Sequence, residues 1–90
     1  MKHINISVKG KVQGVFFRKN TQEKALSLGI SGFVQNENDG SVYIEAEGFD
    51  EDLEEFVEWC HEGPDKAEVE SVKVWKGQFQ NYEDFEIAYR

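Results

Sequence analysis

Nine consecutive residues, Gly10-Lys11-Val12-Gln13-Gly14-Val15-Phe16-Phe17-Arg18, combine the groups that hold an oxyanion. A glycine-bearing connection from a strand to a helix can turn several main-chain N–H groups toward one point. The helix start adds partial positive charge there. Arg18 falls in the first helical turn, and its planar fork can grip two phosphate oxygens at once, which a lysine ammonium cannot copy. The segment is not a Walker loop, because no Gly-Lys-Ser/Thr follows, and the G-x-G-x-x-G spacing of dinucleotide sites is absent. On these residues alone, a plain strand-to-helix connection with a solvated arginine fits equally well.

A second segment, Gly32 to Val42, places Asn36 at the end of a predicted strand, just before a turn. Its amide carries donors and an acceptor, so it can hold a water beside a bound anion. Taken alone, bonding to the turn backbone is the commoner use of such an asparagine. Other reactive side chains read as structural. Cys60 lies on an apolar helical stripe and suits the core. His61 sits near a helix end, where partial protonation complements the dipole. His3 begins a strand and is expected to be exposed. Trp59, Trp75 and the phenylalanines are assigned to core and edge packing.

The elements that would position these groups follow from periodicity. Ile4, Ile6 and Val8 alternate with polar residues and predict a half-buried first strand. Phe17, Thr21, Ala25 and Leu28 share one face of a helix over 17–28, closed by Gly29 at the position that favours a left-handed residue. Ile30 to Gln35 and Val42 to Ala46 form a hairpin around Asn38-Asp39-Gly40. Leu53, Phe56, Val57 and Cys60 mark the buried stripe of a second helix over 50–61, with Asp50, Glu51 and Asp52 at its positive end and Gly63-Pro64 after it. A fourth strand is expected in 67–76, with Val69 out of phase with Val72 and Val74, so that a bulge or a shifted strand start fits. A short strand, Phe85-Ile87-Tyr89, closes the chain. The fold class is therefore α+β: a ferredoxin-like βαββαβ sandwich, an antiparallel sheet with two helices on one face, plus a short C-terminal strand.

Ninety residues suit one domain, 1–90, with one modest core. A single cysteine excludes an internal disulfide, and no His/Cys spacing suggests a metal site, so no metal and no cofactor are expected. No signal peptide or membrane-spanning run is visible, which makes the cytoplasm the default compartment. The net charge of −8 argues against general nucleic-acid binding. Its distribution is uneven: residues 1–24 carry six bases and one acid, and residues 25–90 carry four bases and seventeen acids. A small anion bound by the N-terminal segment would account for this; chance clustering on solvated faces would do so too.

The two segments together resemble the signatures of the acylphosphatase family. Gly10 to Arg18 matches G-x-V-Q-G-V-x-F-R, and Gly32-Phe33-Val34-Gln35-Asn36 through Gly40-Ser41-Val42 matches Gly-aromatic-Val-x-Asn-x-x-x-Gly-x-Val. Gly63-Pro64, Ala67, Val69 and Phe85-Glu86-Ile87 are similar to later family positions, so the resemblance spans nearly the whole chain. Gln35 departs from it, standing where the family usually has lysine or arginine; Phe16-Phe17 is bulkier than in some members. The resemblance implies hydrolysis of an acyl phosphate to a carboxylate and inorganic phosphate by metal-free attack of water on phosphorus. It implies that Arg18 and the backbone N–H groups of Gln13, Gly14, Val15, Phe16 and Phe17 bind the phosphate, and that Asn36 orients the water. The partners expected are a small-molecule acyl phosphate and its phosphate product, with no nucleic acid and no membrane; a monomer is the simplest state. Two alternatives are a ferredoxin-like binding module for RNA or a small ligand, and an acylphosphatase-like domain of a larger carbamoyl-transfer enzyme. The end at Arg90 without a linker leads to the expectation of a stand-alone enzyme.

Overall fold

The alternating aliphatics of the N-terminal segment become a ten-residue central strand, β1 (Lys2–Lys11), in a computed structural model that describes residues 1–89. After it come α1 (Phe17–Ser27), β2 (Ser31–Asn36), β3 (Val42–Gly48), α2 (Asp50–Glu62), β4 (Glu68–Lys76) and β5 (Phe85–Ala88). The sheet order is β4-β1-β3-β2-β5. Four strands pair antiparallel, as expected of this α+β sandwich. β5 adds to the β2 edge and runs parallel to it, with Gly32 opposite Phe85 and Gln35 opposite Ala88. Tyr89, assigned above to the last strand, lies just beyond it.

One face of the sheet carries the core. Ile6, Val8, Val34, Ile44 and Ala46 point toward Phe17 and Ala25 of α1 and toward Leu53, Phe56 and Cys60 of α2. Burying a side chain such as Phe56, fully inaccessible here, contributes about 2–3 kcal/mol. Cys60 belongs to this core, and burial pushes its thiol up to about 12, so no thiolate forms near neutral pH. The helix ends fall within one residue of the sequence expectation. Val69 is out of phase because the β1–β4 register shifts between Lys9 and Gly10, opposing Lys9 to Ser71 and Gly10 to Val69.

The opposite face departs from expectation at His3, which is buried. Residues 77–84 fold back over it. Gly77 N–H donates to the His3 carbonyl at 3.0 Å, and the Gln80 and Tyr82 amides donate to Glu47 at 2.5 and 2.9 Å. His3 Nδ1 lies 2.7 Å from Glu47 Oε2, and its Nε2 lies 2.9 Å from Asn5 Oδ1 and 3.3 Å from Glu45 Oε1. Both ring nitrogens face acceptors, so the imidazole carries both protons. Burial alone would lower its pKa; the bonds to Glu47 and Asn5 and the charges of Glu45 and Glu47 outweigh this and raise it above the usual 6.5. Glu47 is fully buried, and burial alone would raise its pKa. The Gln80 and Tyr82 amides and His3 hold it below 4.5 instead.

These shifts set a pH dependence of stability. The raised His3 pKa contributes stability that is complete below pH 6.5 and lost as pH rises through the folded value. The lowered Glu47 pKa contributes stability that is complete above pH 4.5 and lost as pH falls. Thermal melts are therefore expected to show a maximum between these values, with the upper limb flattened in His3→Gln. Replacing His3 with leucine strands the Glu47 carboxylate and is expected to cost about 3 kcal/mol, read by urea denaturation at pH 6.

Candidate active site

The loop between β1 and α1 is built around unusual backbone geometry. Gly14 has φ +74° and Phe16 has φ +61°, with Val15 between them on the ordinary side. Alternation of left- and right-handed residues turns successive N–H groups into one concavity, a form that receives anions. The glycine takes this conformation freely, but a phenylalanine does so at a cost of about 1–3 kcal/mol. Nothing in a phenylalanine's type signals a positive φ, so this feature is invisible in the sequence.

The N–H groups that this loop presents are unspent. Among the described residues, none of the main-chain N–H groups from Gln13 to Phe17 donates to a protein acceptor. The first turn of α1 adds more orphans, as helix starts do. Among the described residues no side chain caps α1; Phe16 occupies the cap position, and the first turn holds no acid. Lys19 and Arg18 stand there instead, an unfavourable match to the helix dipole unless an anion lies between. The turn is nevertheless firmly held. Phe17 is buried against the Trp59 ring at 5.6 Å between centroids, and Thr21 Oγ1 donates to the Phe17 carbonyl at 2.7 Å.

Asn36, the last residue of β2, meets this loop. Gln13 ties the two together: its Nε2 donates to the carbonyls of Glu37 and Ser41 at 2.8 and 2.9 Å. The turn itself is closed by Asp39, whose carboxylate accepts from Ser41 N–H and Oγ. Asn36 therefore has no part in the turn bonds where its sequence position suggested it. Its Oδ1 is buried and has no hydrogen-bond partner among the described residues. An orphaned buried acceptor costs about 1–3 kcal/mol, and such groups are retained where a ligand completes them.

A cavity of about 270 Å³ joins these parts; Gly14, Phe16, Phe17, Arg18 and Asn36 line it, with Val12, Lys19, Ile87 and Tyr89. Arg18, Asn36 and Gln13 also border an adjoining recess beside Glu37 and Asn38. Of the expected site residues, Val15 borders neither of these spaces and lines a third surface with Phe16, Pro64 and Asp65. The role expected of Val15 uses its N–H group, which this does not affect. Tyr89 and Ile87 reach the cavity only because β5 pairs with β2, and the sequence carried no sign of it. His61 is exposed and lies outside the cavity lining.

The open sheet face deserves comparison with an RNA-binding surface. It does carry aromatics: the Phe33 ring lies 5.9 Å from those of Tyr43 and Tyr82, and Tyr43 lies 6.2 Å from Trp75. Yet the Tyr43 and Tyr82 hydroxyls donate to Glu45 at 2.6 and 2.7 Å, which places a carboxylate among the rings. A nucleic-acid backbone would meet repulsion there.

An α+β sandwich whose first strand-to-helix loop lines a cavity with an arginine, and whose N–H groups there find no acceptor among the described residues, has the make-up of a small anion-handling protein. The profile of the acylphosphatase family matches residues 4–87. An acylphosphatase of Archaeoglobus fulgidus is 46% identical over 86 residues, covering 96% of this chain and 97% of that one. One from Pelotomaculum thermopropionicum is 43% identical over 86 residues, covering 94% of each. The crystal structure of acylphosphatase from Bacillus subtilis matches with a TM-score of 0.96 at 36% identity, covering 99% of this chain and 100% of that one. The chain belongs to the acylphosphatase family.

Proposed function

We propose that this protein is an acylphosphate phosphohydrolase, which cleaves a small acyl phosphate into a carboxylate and inorganic phosphate. The observation that carries the reading is the shared cavity: unspent main-chain N–H groups, an arginine without an ion-pair partner among the described residues, and an orphaned amide oxygen. The N–H groups of residues 13–17 and the Arg18 fork bind the three non-bridging phosphoryl oxygens. Asn36 Oδ1 accepts a hydrogen bond from water and aims its lone pair at phosphorus. A new oxygen–phosphorus bond forms from water as the bond to the acyl oxygen breaks, and the carboxylate leaves with that electron pair. An amide is too weak a base to keep the water's proton, so the proton passes to a phosphoryl oxygen of the substrate.

This donor set is sufficient for the chemistry. A carboxylate leaving group is stable at neutral pH and needs no proton from an acid. Phosphoryl transfer then depends on positioning and on stabilising charge spread over the equatorial oxygens. The reading includes action as a monomer in the cytoplasm without a nucleic-acid partner, supported by the net charge of −8. The direct test is hydrolysis of benzoyl phosphate with a chelator present. Turnover well above the spontaneous rate is expected, and undiminished by the chelator. A rate equal to that of buffer would remove the assignment, and loss of turnover with the chelator would remove its metal-free part.

A further inference from the structure

The Arg18 guanidinium carbon lies 4.9 Å from the centre of the Tyr89 ring, over its face. No carboxylate of the described residues pairs with Arg18. We propose that Tyr89 is a positioning residue for the reaction: its ring holds the Arg18 guanidinium in place while leaving the charge and the N–H donors of that group for phosphate. The proposal rests on the phosphate-binding role of Arg18 given above.

The argument is one of what each kind of partner would take away. A carboxylate would orient the guanidinium well, but it would neutralise the charge and occupy the fork that a phosphate needs. Backbone carbonyls would consume donors one by one. A ring face attracts the cation through its quadrupole and presents no acceptor atom to claim the fork. A long side chain otherwise loses much rotamer freedom on binding, and restricting it beforehand recovers part of that loss.

The fold places the ring deliberately near this cation. The parallel register opposes Gln35 to Ala88, so Tyr89 follows Ala88 at the end of β2 where Asn36 follows Gln35. An antiparallel pairing of β5 would carry Tyr89 to the other end of β2. Gln22 of α1 donates from Nε2 to the Phe85 carbonyl at 2.9 Å, which ties the helix bearing Arg18 to the strand leading to Tyr89. Phe85 is itself buried against Phe56. Both partners are thus held from behind by elements bonded to each other. Tyr89 is 78% exposed, so its ring adds little to the core, and its removal acts on the site more than on the fold.

The test compares Tyr89→Leu, which keeps apolar bulk without the quadrupole, with Tyr89→Phe, which keeps the ring. Inorganic phosphate binding is titrated by calorimetry in both, in Arg18→Ala, and in the double variant. An exposed cation–ring contact predicts a roughly two- to fivefold weaker phosphate affinity in Tyr89→Leu. Tyr89→Phe is expected to restore the affinity, and the leucine change to have no further effect once Arg18 is alanine. The proposal fails if Tyr89→Leu binds phosphate as the parent does, if Tyr89→Phe loses as much as Tyr89→Leu, or if the loss persists in the Arg18→Ala background. Unchanged phosphate binding in Arg18→Ala itself would instead remove the Arg18 role, and this proposal with it.

Discussion

Arg18→Ala is expected to lower kcat/KM for benzoyl phosphate by about a thousandfold and to weaken inorganic phosphate binding in parallel. The variant should fold normally. Arg18 has no ion pair among the described residues, and it lies over the ring of Tyr89, itself largely exposed. The start of α1 is held by its neighbour Phe17, buried beneath the loop. The loss should therefore appear in the kinetics without a drop in the melting temperature. Arg18→Lys separates charge from geometry. An ammonium restores the positive charge but offers a point where the guanidinium offers a fork, so it should recover only a small part of the lost rate. Full recovery by lysine would mean that the site needs charge alone. A normal rate in Arg18→Ala would move phosphate binding away from this loop.

The parts of this site that were legible in the sequence are those fixed by local rules. Alternation in Ile4, Ile6 and Val8 defines β1, and Gly29 takes the positive φ of +69° expected of a residue just past a helix. Asp39 and Gly40 close the hairpin through a carboxylate bond to Ser41 and a φ of +92°. Such features depend on a few neighbouring residues, and so did the location of Arg18 and Asn36 at element ends. The irregularity at Val69 was legible too, as either a bulge or a shifted strand start, because a phase change in the apolar pattern has to be absorbed somewhere.

What stayed hidden depends on partners far apart in the chain. The four residues of β5 carry no mark of which edge they join or in which direction, and direction decides where Tyr89 ends up. His3 was expected at the surface because strand alternation says which face it points to, but not what covers that face. The segment 77–84 has no regular structure, and its seat over Glu47 is a matter of two hydrogen bonds, from the Gln80 and Tyr82 amides, to a buried carboxylate. Phe16 is a different case. Its left-handed backbone goes against its residue type, so local reasoning gives the wrong sign of φ there. Local rules fail at this point because strain of this kind is set by the surrounding contacts that over-determine it, not by the residue's own preference.

Asn36→Ala tests the other half of the site and is expected to divide binding from turnover. If Asn36 orients water and does not hold phosphate, kcat should fall by about a hundred- to a thousandfold while phosphate affinity stays near that of the parent. Stability should move the opposite way. Asn36 Oδ1 is buried without a partner among the described residues, so the folded protein carries its desolvation cost, about 1–3 kcal/mol. Alanine removes that cost along with the catalytic acceptor. The variant should melt at or above the temperature of the parent, as happens where a group is kept for function at the expense of stability. Asn36→Asp sharpens the distinction, because a carboxylate still accepts a hydrogen bond from water but repels the bound anion. It should lose phosphate affinity as well as turnover, and regain some of both as pH falls and the carboxyl is neutralised. Calorimetric phosphate titrations, kcat with benzoyl phosphate and melts on the same three proteins decide the matter. Equal losses of phosphate affinity in Asn36→Ala and Arg18→Ala would show that both side chains grip the anion, and the water would then need another host.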